Sequence, residues 1–320
     1  NMRLSEYNLE PVGSGPYRFR AYEKQKDGFI AEYVLEQNPQ YAGGEPLIEE
    51  FRMRFFESLP EALAAFNQKK LDGVGGVRDE DLSGVRVSYQ LFEVPTPRFY
   101  AVFLNPALSV PLKEKAVRTA LFQVTDPRAI VTAILRDRAQ AAPGPIPPSV
   151  QGFSEDAFAN LASSTAEAAI ATLEKAGWKI GDDGVREKII QKNRTRLEFE
   201  LLVPKAPFLE ETAALLAGSW ETIGVRVKIV AKDSADIANE AIRSRNYQLF
   251  LFGNILNNNP DIFSFWHSSQ KFYPGQNLAL YENKAVAQLL ENIRQNFDEP
   301  SRAEDLKKAQ ADLSAAKQKL

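Results

Sequence analysis

Residues with the chemistry to contact a ligand are concentrated in one stretch, NYQLFLFGNILNNNPDIFSF, which spans residues 246–265. Its first part is a continuous apolar run, typical of a strand covered on both faces, and we expect this strand over residues 247–252. The strand should stop at Gly253, and a loop should run from Asn254 to Asp261, because asparagine hydrogen-bonds locally and proline cannot donate to a ladder. Ligands tend to bind beyond the carboxyl ends of strands in open α/β sheets. The loop therefore predicts a polar ligand contact, with a plain turn as the alternative.

Residue types that serve catalysis or metal binding are scarce. The chain has 320 residues, no cysteine and one histidine, His267, so thiolate zinc sites, cysteine nucleophiles and multi-histidine metal sites are excluded. We expect a structural role for His267. The 42 aspartates and glutamates offer many carboxylate pairs, but most lie at helical spacing with Lys or Arg, as Glu304 and Lys308 do. We therefore expect no enzyme and no cofactor, and a hydrolase acting through a carboxylate pair is the third alternative.

The charge and the length limit the partners and the architecture. A formal net charge of −3 provides no basic surface, so we expect no nucleic-acid partner. No run of about 18 apolar residues is present, and no leader sequence opens the chain, so we interpret its start as the interior boundary of a fragment. Because 320 residues exceed what one compact core usually serves, we expect two lobes.

The first hundred residues read as short strands joined by turns. PVGSGP, residues 11–16, lacks the spacing and the lysine of a phosphate-binding Walker loop, so it is interpreted as a turn. The Asp-Gly pair in QKDG predicts a hairpin turn, because glycine supplies the positive φ that such turns need. The other elements predicted here are strands over 17–22, 29–37 and 48–56 and an amphipathic helix over 59–68.

Strands and helices alternate in the second part of the chain. A strand over 99–104 ends near Pro106, and Asp126 is predicted to cap a helix that begins at Pro127. Further on, we expect helices over 164–178, 208–223 and 233–244 and strands over 195–203, 225–232 and 247–252. Asn283 is predicted to cap another helix. This alternation predicts helices that cover a mixed sheet.

The order and near-spacing of these segments are similar to those of the family 5 extracellular solute-binding proteins, which are receptors of oligopeptide, dipeptide and nickel ABC importers. The segments that carry the resemblance are PVGSGPYRFRAY (11–22), EQNPQYAGGEPLIEEFRMRFF (36–56), EALAAFNQKKLDG (61–73), PRFYAVFLNPALSVPLKEKAVRTALFQVTDPRAIVTAIL (97–135) and residues 274–313. The resemblance implies a two-lobed, periplasmic-binding-protein-like (type II) α/β fold with mixed sheets and an incomplete first lobe. It assigns residues 1–96 and 259–320 to the first lobe and residues 97–258, including the hinge strands, to the second.

The same resemblance implies a function. The protein is expected to be the extracytoplasmic substrate-binding protein of an ABC importer, periplasmic or lipid-anchored at the cell surface, and to bind a small peptide or other small solute between its lobes. A membrane permease is the implied partner, and we expect a monomer. A non-transport sensing or interaction module on the same fold is the alternative. The expected ligand-binding residues are Arg98, Tyr100, Phe252, Gly253, Asn254, Leu256, Asn257 and Asn258. We also expect Trp266 to contribute to the wall of the binding cleft.

One position departs from the pattern of the peptide receptors in this family. Their loop usually supplies an aspartate that captures the α-amine of the peptide. Counted back from Pro260, that position falls on Leu256 here, or on Asn257 if the loop shifts by one residue. Neither side chain neutralises an ammonium group, so we expect weak dependence on a free amine. Nickel or haem binding, known in some relatives, has little support from one histidine and no cysteine.

Overall fold

The computed structural model describes residues 8–77, 79–94, 98–148, 150, 153–154, 156, 165–255 and 261–319, without the side chains of residues 79 and 314–319. The chain divides into two compact units, Asn1–Val94 and Pro95–Leu320. Within the described part, no helix is both long enough and apolar enough to cross a membrane.

The first unit is built on a three-stranded antiparallel sheet in the order β1-β2-β3. Its elements are β1 (Tyr17–Lys24), β2 (Ile30–Gln37), β3 (Glu50–Arg54), α1 (Leu59–Asn67) and α2 (Asp79–Leu82). The predicted hairpin is confirmed, because Gly28 adopts φ 96° and the Gln25 N–H donates to the Phe29 carbonyl at 2.8 Å. The third strand is shorter than the predicted 48–56.

The second unit contains a four-stranded mixed sheet in the order β4-β10-β8-β9 and a small antiparallel sheet in the order β5-β6-β7. Its strands are β4 (Arg98–Leu104), β5 (Lys179–Ile180), β6 (Arg186–Ile190), β7 (Asn193–Arg196), β8 (Glu198–Pro204), β9 (Arg226–Lys232) and β10 (Leu249–Ile255). Strand β10 runs antiparallel to β4 and parallel to β8, and β9 runs parallel to β8. The predicted mixed sheet is therefore confirmed.

Helices cover both faces of this sheet. The helical segments described in the second unit are α3 (Val110–Lys113), α4 (Lys115–Val124), α5 (Pro127–Leu135), α6 (Ala166–Lys175), α7 (Pro207–Glu221), α8 (Ser234–Asp236), a π-helix (Ile237–Arg243), α9 (Phe263–Trp266), a 3₁₀ turn (Ser268–Gln270), α10 (Lys284–Gln295) and α11 (Glu299–Lys319). Of these, α7 and the π-helix pack on the sheet in two separate clusters. The helix predicted over 233–244 is thus one α-helical turn that continues as a wider π-helix.

Strand β10 lies in the centre of the core, as its continuous apolar run predicts. Leu249 and Leu251 pack in a cluster with Trp220 of α7, whereas Phe250 packs in another cluster with Ile237 of the π-helix. All three β10 residues are at most 2% exposed. Burial on both faces is what an uninterrupted hydrophobic strand requires.

The end of β10 corrects one prediction. The strand was expected to stop at Gly253, but it continues through Asn254 to Ile255. Glycine and asparagine are weak strand formers, and pairing with β4 outweighs their local preference. Tertiary contacts therefore extend the strand into the start of the predicted loop.

The predicted helix caps are confirmed. The Asp126 carboxylate accepts hydrogen bonds from the Arg128 and Ala129 N–H groups at 2.9 and 3.2 Å, and Pro127 begins the helix. The Asn283 side chain likewise accepts from the first free N–H groups of α10. These caps satisfy donors that have no partner within the helix.

The C-terminal helices pack in a core of their own. Val286, Leu290 and Ile293 of α10 contact Leu306 of α11, and Ile146 joins the same cluster. By its contacts, this region belongs to the same compact unit as residues 95–258. The assignment of residues 1–96 and 259–320 to one lobe, and of 97–258 to the other, stays a prediction.

Candidate functional site

The antiparallel pairing of β4 with β10 brings five of the predicted ligand-binding residues together. Tyr100 is the register partner of Gly253, Ile255 faces Arg98, and Asn254 lies opposite Phe99. Phe252 pairs with Ala101, and three further pairs extend the same register toward the core. Leu256, Asn257 and Asn258 lie outside the described residues.

A close contact fixes the side chain of Tyr100. Its ring lies directly over Gly253, where an added β-carbon would be 2.7 Å from Cδ1. The Tyr100 ring also contacts Phe208 of α7, and the two rings meet edge-on at 5.3 Å between centroids. Glycine is therefore needed at residue 253 for a steric reason, and it positions Tyr100 for packing.

Strand β10 is only partly covered on the side opposite β4. Strand β8 pairs with it at two residues, Leu249 and Phe250. Beyond Phe250, among the described residues, no strand pairs with β10 on that side. The last residues of β10 therefore form a partly open sheet edge.

The backbone groups of this edge can be assigned from the ladder. The Asn105 N–H donates to the Gln248 carbonyl at 2.9 Å, which identifies a hydrogen-bonded pair in the β4–β10 register. Such pairs alternate with non-hydrogen-bonded pairs along an antiparallel ladder. The alternation directs the N–H and C=O groups of Gly253 and Ile255 away from β4. They point to the side of β10 on which β8 lies, but they lie beyond Phe250, where the pairing with β8 ends. We call these groups the β10 edge.

A cavity of about 670 Å³ lies beside the same strand pair. Its walls are largely apolar and include two side chains that the sequence predicted for the wall, Tyr100 and Trp266. Phe122 and Tyr281 complete the aromatic part of the lining. Burial raises the pKa of the Tyr281 hydroxyl, so this group stays a neutral phenol over the physiological range.

Sequence reasoning missed Arg118, a partly buried residue of α4 that also lines the cavity. One of its terminal nitrogens donates to the Leu112 carbonyl, and burial lowers the pKa of its guanidinium group. Helix α4 is held in place by Trp220, whose Nε1 donates to the Leu121 carbonyl and to Thr125 Oγ1. No local signal around Arg118 identifies it, because the cavity is formed by segments distant in the sequence.

His267 is accounted for by packing. It is 7% exposed, and its ring stacks on Phe263 at 4.0 Å between centroids. Its Nδ1 accepts the Ser269 N–H at 3.1 Å, and its Nε2 lies 3.3 Å from a Glu291 carboxylate oxygen. In the part of the chain that is described, no group of three or more His, Cys, Asp or Glu side chains is placed to hold a metal ion.

Known proteins resemble this chain over most of its length. The family model described as bacterial extracellular solute-binding proteins, family 5 Middle, matches residues 3–277. Protein XP55 of Streptomyces lividans is 27% identical over 317 residues, covering 97% of this chain and 55% of that protein. The dipeptide-binding protein of Escherichia coli (strain K12) is 23% identical over 307 residues, covering 95% and 54%. The chain thus spans about half the length of these relatives.

A solved structure shows the same fold. The oligopeptide-binding protein AppA of Bacillus subtilis, determined in complex with a nonapeptide, matches with a TM-score of 0.69 at 20% identity, over 98% of this chain and 61% of that one. The predicted fold class, the mixed α/β fold of type II periplasmic binding proteins, is therefore confirmed. On the match of the family model over 3–277, this chain belongs to the bacterial extracellular solute-binding proteins, family 5.

Proposed function

We propose that the protein is the substrate-binding component of an ABC importer and that it binds a peptide or a peptide-like solute. The observation that carries this proposal is the β10 edge, where Gly253 and Ile255 direct unpaired backbone groups to one side. An extended peptide can add to such an edge as a further strand, which gives affinity through main-chain hydrogen bonds. The ligand then needs an extended backbone more than one particular side chain.

The predicted ligand-binding residues fit this arrangement. Asn254 lies beside the edge on β10, and the Tyr100 ring of β4 packs over Gly253, one of the two residues that form the edge. Arg98 is exposed at the start of β4. The names of the relatives, a dipeptide-binding protein and an oligopeptide-binding protein in complex with a nonapeptide, support a peptide as the solute.

The rest of the proposal concerns the whole protein. Residues 1–96 and 259–320 are assigned to one lobe and residues 97–258 to the other, with the solute held between them. A membrane permease receives the solute from a binding protein that acts outside the cytoplasm as a monomer. Closure of the lobes around the solute requires contacts that are stronger in the closed state than in the open state.

The experiment is a calorimetric titration with di- to nonapeptides, using wild-type protein and the variant Ile255→Pro. Proline removes the N–H of residue 255, which faces away from β4, so the variant should fold as the wild type does and lose peptide binding. Asn254→Pro is the contrast, because it removes an N–H of the β4–β10 ladder and should lower the melting temperature. Unchanged peptide affinity in the folded Ile255→Pro protein would contradict the proposal.

A further inference from the structure

Asp261 is the first described residue after β10. The strand ends at Ile255, so five residues, 256–260, connect it to Asp261, and they include part of the predicted ligand-binding loop. The end of this connection at Ile255 is held by the pairing of Ile255 with Arg98 of β4. The end at Asp261 is held by contacts with α9 and α10. The chain is therefore fixed on both sides of these five residues.

Both carboxylate oxygens of Asp261 accept hydrogen bonds. Oδ1 accepts the Phe263 N–H at 3.1 Å, which joins Asp261 to the first residue of α9. Oδ2 accepts from Nε and Nη2 of Arg294 on α10, at 3.0 and 2.9 Å. Hydrogen bonds between two ionised groups are stronger than those between neutral groups. One side chain thus ties the end of the connection to two helices.

Arg294 also stacks on α9. Its guanidinium carbon lies 4.1 Å from the centroid of the Phe263 ring, and the His267 ring stacks on Phe263 at 4.0 Å between centroids. One face of a ring has no room for two groups at these distances, so Arg294 and His267 cover the two faces of Phe263. A cation over an aromatic face is a favourable contact. Glu291, one turn before Arg294 on α10, lies 3.3 Å from His267 Nε2. We call the set of Asp261, Phe263, His267, Glu291 and Arg294 the α10 clamp.

Helix α10 is a firm support for the clamp. Leu290 and Ile293, which are next to its two charged residues on this helix, are buried and pack in a cluster with Leu306 of α11. Ile262, which lies between Asp261 and Phe263, is buried in the same cluster. Side chains that hold a binding segment in place are effective when packing fixes their own positions. The clamp therefore joins the start of α9 to a packed core.

We propose that Asp261 and Arg294 are positioning residues for peptide binding at the β10 edge, an inference that rests on the proposed function. Their ion pair fixes one end of the connection that leaves this edge, so less conformational entropy is lost when a peptide pairs with Gly253 and Ile255. Ordering a chain segment on binding costs free energy, and a segment that is already held at both ends costs less. Neither side chain has to touch the peptide. The pair therefore raises the affinity for peptides without selecting their side chains.

Hydrogen–deuterium exchange tests the positioning role without any peptide. The readout is the deuterium uptake of the fragment that covers residues 253–265, in the wild type, Arg294→Gln and Asp261→Asn. Both substitutions should raise the exchange rate of this fragment about tenfold, because local opening becomes easier when the ion pair is lost. Asparagine has one acceptor oxygen and cannot serve Phe263 and Arg294 as the carboxylate does. Arg194→Gln is the matched control, since it breaks an arginine–carboxylate pair, with Glu187, on the small sheet. It should leave the uptake of the fragment unchanged.

Calorimetry with the pentapeptide Ala-Val-Ala-Val-Ala, with both ends free, tests the effect on binding. Arg294→Gln and Asp261→Asn should each bind it about tenfold more weakly than the wild type, and Arg194→Gln should bind it as the wild type does. The double variant of Asp261 and Arg294 should lose no more affinity than either single variant, because both remove the same pair. Arg294→Lys keeps the charge and should recover part of the affinity.

The two measurements fail separately. Unchanged deuterium uptake in Arg294→Gln overturns the positioning role, whatever the wild type binds. Raised uptake or a lower melting temperature with unchanged peptide affinity gives the ion pair a purely structural role and overturns its link to binding. If uptake rises but the wild type binds neither the pentapeptide nor any of the di- to nonapeptides, the proposed function fails and takes the link to binding with it, whereas the anchoring of Asp261 by α10 is supported.

Discussion

The ring of Tyr100 packs directly against the Cα of Gly253, its register partner on the neighbouring strand. No β-carbon fits between them, because it would be 2.7 Å from Cδ1 and 3.0 Å from Cζ of the ring. Tyr100 is thereby held edge-on against Phe208 and beside the cavity. One glycine thus links the pairing of β4 and β10 to the position of a side chain that lines the cavity.

Replacement of Gly253 by alanine should therefore destabilise the protein. The new methyl group must displace the Tyr100 ring from Phe208, and such overpacking typically costs about 1–3 kcal/mol. The free energy of unfolding, measured with urea, checks the expectation. Gly218→Ala is the control, since an added β-carbon in α7 meets no atom within 4 Å and alanine favours a helix by about 0.8–1.0 kcal/mol over glycine. Equal stability of Gly253→Ala and wild type would show that the ring moves without cost.

The buried Arg186 should contribute strongly to the stability of the small sheet. It is 2% exposed, and it donates to the carbonyls of Ile223 and Trp178, both at 2.8 Å, and to Glu174 at 3.4 Å. Arg186→Leu leaves two buried carbonyls without their donors, and each unsatisfied group costs about 1–3 kcal/mol. Denaturant unfolding should show this loss.

The control for Arg186 lies on the neighbouring strand. Arg194 pairs with Glu187 but its side chain is 62% exposed, so Arg194→Leu should change the free energy of unfolding by about 1 kcal/mol at most. A similar loss for both substitutions would mean that the loss of a positive charge, and not the unsatisfied buried carbonyls, accounts for the effect of Arg186→Leu.

Local signals in the sequence predicted the elements whose ends are determined locally. Asp126 and Asn283 cap the helices that they were expected to cap, because each side chain bonds only the first turn that follows it. The end of β10 could not be predicted in this way. Asn254 and Ile255 lie in the strand through pairing with residues more than 150 positions earlier in the chain. Arg118 was missed for the same reason, since its cavity joins α4 to residues as distant as Leu313.

Acid should weaken the contact that joins the turn before β6 to β7 and β9. The pKa of Asp183 is lowered to about 2, chiefly by a hydrogen bond from Arg196 and further by one from Arg226 at 3.0 Å. Its pKa in the unfolded chain is about 3.9, so the stabilisation is complete above that pH and is lost as the pH falls toward 2. A carboxyl NMR titration should show a midpoint near 2 for Asp183.

Asp183→Asn is the variant that isolates this effect. Asparagine does not titrate, so between pH 4 and pH 2 the melting temperature of the variant should fall less than that of the wild type. The side chain is 47% exposed, and solvent therefore reduces the size of the difference. Identical pH profiles, together with an Asp183 midpoint near 4, would contradict the ion-pair assignment.

Peptide binding should depend little on a free amino group. The resemblance predicts that Leu256, which lies outside the described residues, stands where peptide receptors of this family usually have an aspartate that captures the α-amine. Neither Leu256 nor its neighbour Asn257 carries a compensating charge. If main-chain pairing along the β10 edge supplies most of the affinity, acetylation of the peptide removes a charge that has no partner in the site. Calorimetry should therefore give dissociation constants within about threefold, equivalent to less than about 1 kcal/mol, for a free peptide and its N-acetylated form. Leu256→Asp provides the complementary test, because a new carboxylate should restore a preference for the free amine. A large loss on acetylation in the wild-type protein would mean that another acidic residue takes the place of the missing aspartate.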